Sequence, residues 1–184
     1  MHRLSHDIDI HTHTGVPRLD AILCVDPTQH TQLPEGEGLL SVGIHPWNAE
    51  HATEETWIRL NEWLKDKRVV AIGEIGLDRA VNVSRDVQMT VFIKQLQIAD
   101  SLSLPVIIHC VRSFDTLLAL RKQIKTTNQW IIHGFRGKPD TARQLLKAGF
   151  DLSFGTKFNI DSYDLTPPER RYHETDTDID NASQ

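Results

Sequence analysis

The stretch Ile8-Asp9-Ile10-His11-Thr12-His13 decides the fold: a short apolar run ends in two histidines. The pattern then recurs along the chain. Leu40-Ser41-Val42-Gly43-Ile44-His45, Val69-Val70-Ala71-Ile72-Gly73-Glu74, Pro105-Val106-Ile107-Ile108-His109 and Trp130-Ile131-Ile132-His133 are each closed by a His or a Glu. A last segment ends in Glu174-Thr175-Asp176. Runs of this kind read as buried strands. A polar, metal-binding residue at the end of strand after strand is how a (β/α) barrel assembles its site. One such histidine can be a locally paired buried residue. Five histidines and two acids in the same place point to a metal centre.

Helical patterns alternate with these runs. Thr53 can cap a helix whose first turn holds Glu54 and Glu55 and whose apolar face carries Trp57, Leu60 and Leu64. Ser84 can cap a second, with Phe92, Leu96 and Ala99 on one face. Ser113 opens a third, with Leu117, Leu120 and Ile124 inward. A fourth starts at Lys138-Pro139-Asp140 and stops before Gly149. The aromatics on these faces read as core packing. Strands are expected over 8–11, 21–25, 39–44, 69–74, 105–109, 130–133, 150–154 and 171–175, enough to close a barrel. The barrel is abbreviated. The crossovers after the first two strands are short and loop-like, and no helical pattern follows Asp176. Residues 1–176 are expected to form one barrel domain, and 177–184 a disordered tail.

The chain has 184 residues, 39% of them hydrophobic and 24% charged, so it can bury one sizeable core. The net charge of −5 argues against a broadly cationic nucleic-acid coat, but not against a local basic groove or metal ions. Cys24 and Cys110 lack C-x-x-C spacing and read as buried thiols, with Cys110 a candidate wall of the site beside His109. No run is long enough to span a membrane and no secretory pattern opens the chain, so a cytoplasmic protein with no membrane partner is expected.

The chemistry follows from the residue types. In a strand, positions i and i+2 share a side, so His11 and His13 can reach one ion. Glu74 has two oxygens and can bridge two ions, and the glycines around it leave room for backbone and ligand. His109 and His133 offer imidazole nitrogens, common ligands for divalent metals. Asp176 can bind a metal and take a proton from activated water. Asp9 either supports a ligand or bonds to backbone.

These motifs together resemble one family. Asp9-Ile10-His11-Thr12-His13, Val42-Gly43-Ile44-His45-Pro46, Gly73-Glu74-Ile75-Gly76-Leu77-Asp78, Pro105 to His109, His133-Gly134-Phe135 and Glu174-Thr175-Asp176 are similar to those of the TatD metal-dependent deoxyribonucleases. The resemblance implies a TIM-type barrel and one or two divalent ions, with zinc, manganese and magnesium as candidates. It also implies phosphodiester hydrolysis with DNA as substrate, including 3′ to 5′ trimming. Carried over by position, His11, His13 and Asp176 hold the first ion, His109 and His133 the second, and Glu74 is shared. His45 lies beside the substrate or is a buried turn histidine. Arg112 and Arg136 clamp phosphate or are solvated loop residues.

Two other readings stand beside this one. Another hydrolase of the same superfamily would act on a small ester, amide or phosphoester. A non-catalytic, metal-binding barrel remnant would explain the missing last helix, although all six candidate ligands are present. The polar last strand, Arg170-Arg171-Tyr172-His173, carries little apolar surface. A marginally stable monomer, or self-association over that end, is therefore expected.

Overall fold

Eight parallel strands pair in chain order and close on themselves. Residues 3–176 are described by a computed structural model, so the tail expected over 177–184 lies outside the described residues. The strands are β1 (Asp9–Thr12), β2 (Ala21–Val25), β3 (Leu39–Val42), β4 (Val69–Asp78), β5 (Val106–Val111), β6 (Trp130–Ile132), β7 (Phe150–Phe154) and β8 (Arg171–His173). The helices are α1 (Glu54–Trp63), α2 (Arg85–Leu102), α3 (Phe114–Gln123), α4 (Pro139–Lys147) and α5 (Ile160–Leu165). Closure is made where Asp9 of β1 lies opposite His173 of β8. The fold is the expected TIM-type barrel. No helix stands between β1 and β2 or between β2 and β3, and among the described residues none follows β8.

Burial explains the layers. Ile10, Ile22, Ala71, Ile107, Ile131 and Tyr172 come from six different strands and pack together, which places them in the barrel interior. A larger cluster joins the outer faces of β4 to β7 to α2, α3 and α4, with Phe92, Leu96, Ala99, Leu117 and Leu120 on the expected faces. Leu60 and Trp63 of α1 cover β2 and β3. Two buried glutamines of α2 pin strand ends. Gln88 brackets the backbone N–H and C=O of Asp78, and Gln95 does the same for Ile44. Side-chain polarity here replaces ladder hydrogen bonds that the strand ends would otherwise lack.

Several local expectations need correction. Thr53 caps α1 by accepting from Thr56 N, but Ser84 and Ser113 stand at N-cap positions without side-chain caps. Ser113 Oγ instead donates to Val111 O. The short α5 was not foreseen, because it buries only Ser162 and so shows no apolar period. β4 runs past Glu74 to Asp78, since Ile75 and Leu77 are also buried.

The last strand is held by charge rather than by apolar area. Tyr172 is buried, and its hydroxyl takes a hydrogen bond from Gln129. Asp151 on β7 is 3% exposed and accepts from Arg3, Arg170 and Gln129 at 2.7–2.8 Å. Arg171 lies 4.1 Å over the ring of Tyr163. Hydropathy sees only a polar stretch, whereas the fold supplies each cation with a partner. Removing the shared carboxylate takes the one anionic partner from two guanidinium groups and an amide and leaves them only neutral oxygen acceptors. Asp151→Ala is therefore expected to cost about 2–4 kcal/mol, toward the lower end for a buried pair because Arg3 is partly exposed. A denaturant midpoint close to that of the unaltered protein would refute this account.

Candidate metal centre

Bulges aim the site. The register of β4 against β5 shifts between Ile72 and Ile75, and Glu74 falls in that interval. Such an irregularity bends a strand and re-aims a side chain. The neighbouring glycines are required by close approach. A Cβ on Gly73 would stand 2.7 Å from Ile107 Cβ, and one on Gly76 would stand 2.0 Å from His109 O. β1 has a similar shift between Asp9 and Thr12, just where His11 lies. Asp9 accepts from the backbone N–H groups of His11 and Thr175, so it ties β1 to the end of β8 and supports a ligand only through its backbone.

Glu74 is the hub. Its Oε2 lies 3.2 Å from Nε2 of both His11 and His13. Its Oε1 lies 2.6 Å from His109 Nδ1, 2.6 Å from His133 Nε2 and 3.2 Å from His45 Nε2. Asp176 stands farther out. Its Oδ1 is 3.8 Å from His11 Nε2, and its Oδ2 is 4.0 Å from His133 Nδ1. All six expected ligands thus meet at the C-terminal end of one barrel. His45 comes with them, closer to Glu74 than its expected place beside the substrate. Its Nδ1 accepts from Trp47 N, which leaves Nε2 to carry the proton in the neutral ring.

The donor set fits divalent cations. His11 Nε2 faces His13 Nε2 at 3.0 Å, and His133 Nε2 faces His109 Nδ1 at 3.3 Å. Neutral imidazoles that meet lone pair to lone pair repel unless a proton or a cation lies between them. His11, Glu74 and His133 present ligand atoms within 4.8 Å of one another; so do His11, His13 and Asp176, and His45, Glu74 and His109.

Charge follows the same logic. Burial works against ionisation of Glu74, but the imidazoles of His133 and His11 outweigh it and hold the carboxyl well below its ordinary value. Burial likewise opposes a charged His133, yet Glu74 and Glu174 raise it well above the usual imidazole range. His109 is raised against its burial by Asp78 and Glu74. Burial lowers His45 despite Glu74. The Cys24 thiol is raised by burial and takes the Glu74 N–H; burial puts Cys110 at about 12. Neither is a thiolate near neutrality; both are half-buried rather than buried and both line the cavity, as the wall reading had it for Cys110.

Sequence reasoning missed three carboxylates here. Asp78 Oδ2 lies 3.1 Å from His109 Nε2 and accepts Trp47 Nε1 at 2.7 Å. Burial opposes its charge, but these bonds and one from Ala80 bring it down to about 2. Glu174, 5% exposed, sits 3.5 Å from His133 Nδ1. The same i, i+2 argument that paired His11 with His13 would have paired Glu174 with Asp176. Asp26 accepts from His45 N and from the side chain of Asn48, and so fixes the turn that carries His45. Arg112 and Arg136 line the same cavity, about 620 Å³ in volume, and neither forms an ion pair among the described residues. No helix among those residues is long and apolar enough to cross a membrane.

Comparison with known proteins bears on the family and the fold. The Bacillus subtilis metal-dependent hydrolase YabD is 37% identical over 117 residues, 62% of this chain and 46% of its own. The 3′-5′ ssDNA/RNA exonuclease TatD of Erwinia billingiae is 34% identical over 114 residues, 61% of this chain and 44% of its own. The chain thus spans a little under half the length of the curated relatives it matches. The crystal structure of YJJV, a TatD homologue from Escherichia coli, superposes with a TM-score of 0.75 at 22% identity, covering 92% of this chain and 78% of that one. At that identity the likeness is one of fold. The family model described as TatD related DNase matches residues 28–178, and on that extent the chain belongs to the TatD-related DNase family.

Proposed function

We propose that the protein is a metal-dependent nuclease that hydrolyses phosphodiester bonds in DNA from a free 3′ end. One observation carries the reading: the two oxygens of Glu74 are divided between two sets of imidazoles, His11 with His13 and His109 with His133. A carboxylate so placed suits two cations side by side. The names of the relatives, a metal-dependent hydrolase and a 3′-5′ exonuclease, support the class.

In this reading His11, His13 and Asp176 hold one divalent ion, His109 and His133 hold the other, and Glu74 serves both. The mixture of imidazole and carboxylate suits zinc, with manganese or magnesium as alternatives. A bound divalent ion supplies Lewis acidity, which lowers the pKa of water and steadies charge on phosphate oxygens. The chain does the rest. Asp176 is 19% exposed at the cavity edge, where it can receive a proton from the attacking water. His45 keeps its Nε2 proton because Nδ1 is occupied; that proton faces Glu74 Oε1 at 3.2 Å, and it would serve a phosphate oxygen only on leaving that carboxylate. Arg112 and Arg136 give the phosphate two guanidinium partners, which can bind its oxygens bidentately.

Three outcomes are expected. Chelation should abolish cleavage of DNA with free ends, added divalent metal should restore it, and Glu74→Gln should cost several orders of magnitude. Cleavage that survives both treatments would exclude the mechanism. Asp78→Asn should weaken metal binding about 10–100-fold, because Asp78 takes the Nε2 proton of His109 and leaves Nδ1 for the ion. Equal affinities by titration calorimetry would remove that role. Finally, His109 and His133 are both raised, so they hold protons that a cation must displace. Metal uptake near neutrality should release protons, and affinity should fall as the pH falls. Calorimetry in buffers of different ionisation enthalpy reads this directly, and a buffer-independent heat would contradict it.

A further inference from the structure

Trp47 has no part in the reaction described above, yet its placement is specific. It follows His45-Pro46 in a 3-10 helix, Pro46–His51, and lines the cavity with the imidazoles. It remains 48% exposed. A tryptophan usually contributes by burying its large ring. This one is nonetheless fixed. Nε1 donates to Asp78 at 2.7 Å, and the ring meets His45 edge to face with centroids 5.0 Å apart. His109 lies 6.2 Å away, also edge to face. The backbone N–H is held by His45 Nδ1. The indole is thus oriented before any ligand arrives, beside the metal centre, with half of its surface still open. If Trp47 served only to donate to Asp78, a smaller side chain would do so without leaving an aromatic surface in water.

We infer that Trp47 is the stacking platform for an unpaired nucleobase next to the scissile phosphate. The inference rests on the nuclease reading; a single-stranded substrate is already in the name of the Erwinia billingiae relative, and what is added is the residue that would take the base at a single-stranded or frayed end. A base within a duplex is already stacked on both faces and paired on its edge. Only a base freed from the duplex can lie on the indole. The cavity supplies the second half of single-strand recognition, because Arg112 and Arg136 line it with Trp47 and suit backbone phosphate. Cationic groups that follow the backbone, with an aromatic that takes the base, make a sequence-tolerant single-strand site. Ordering the indole in advance removes an entropy cost that binding would otherwise carry.

The test is a binding cycle on the full chain with magnesium. The probe is a fluorescein-labelled single-stranded oligodeoxynucleotide whose last linkages are phosphorothioates, to slow cleavage. Matched probes carry an abasic residue at one of the terminal positions. In the unaltered protein, one of these replacements should weaken binding about tenfold, in line with the loss of one base stack. Trp47→Ala should bind the intact probe about as weakly and should not discriminate the abasic one. Trp47→Phe keeps a π face and loses the N–H, so it should still discriminate. The inference is overturned if the unaltered protein ignores every abasic replacement, or if Trp47→Ala discriminates as the unaltered protein does. It is overturned equally if Trp47→Phe behaves like Trp47→Ala, since that assigns the effect to the Asp78 hydrogen bond. Metal-dependent cleavage without any base preference would sink the stacking site alone. Base-dependent binding without cleavage would sink the nuclease reading alone.

Discussion

One buried carboxylate surrounded by five imidazoles sets the terms for the rest of the molecule. Strands in a sheet lie about 4.8 Å apart, so the ends of β1 and β4 in a flat sheet would stand roughly 14 Å from each other. Yet His11 and Glu74 approach to 3.2 Å. His11 and His133 come from strands farther apart in order, and their ring centroids lie 4.4 Å apart. Only a closed barrel brings these strand ends to one point. Closure, the bulges in β1 and β4, and the glycines at 73 and 76 are therefore conditions of the site as much as of the fold.

The same carboxylate explains the charge pattern. A buried acid next to apolar strands would ordinarily be driven toward its neutral form. Here the imidazoles reverse that, and two further acids, Asp78 and Glu174, flank His109 and His133. Each of these histidines is held between Glu74 on one nitrogen and a second carboxylate on the other. That fixes ring orientation and directs one nitrogen to the centre. At the centre His11 Nδ1 is buried with no hydrogen-bond partner, and Glu174 meets His133 Nδ1 at 3.5 Å, as an ion pair too long to be a good hydrogen bond.

Much of this was legible in the sequence because barrel geometry writes itself as a pattern. An apolar run gives a strand, and its first polar residue marks the strand end that faces the site. That reasoning located His11, His13, Glu74, His109, His133 and Asp176 in one constellation. It stopped too soon on β4, where the polar Glu74 closes the apolar run without ending the strand, and so passed over Asp78. It could not see why a strand as polar as Arg171–His173 should hold its place. The reason is tertiary: Asp151, Gln129 and Tyr163 lie elsewhere in the chain and meet these side chains only once the barrel has formed. The role of Trp47 was equally hidden, since an aromatic after His-Pro reads as packing until its exposure is known.

The two ends of the barrel use polar groups in opposite ways. At one end Arg3, Arg170, Gln129 and Asp151 satisfy one another in fixed pairs, and each bond joins segments distant in sequence. Such a network has nothing left to offer a ligand, and its contribution is to hold β8 and the start of the chain against β7. At the other end the groups are deliberately unmatched: nitrogens crowd a single carboxylate, two guanidinium groups lack ion-pair partners among the described residues, and an indole is half bare. Stability and reactivity draw on the same residue types, and what separates them is whether the fold has already supplied the partner. β8 belongs to both ends, with Tyr172 and the preceding Arg170 in the closed network and Asp176 just beyond it in the open one. The strand that hydropathy makes weakest is thus the one that couples the barrel's structural anchor to its site.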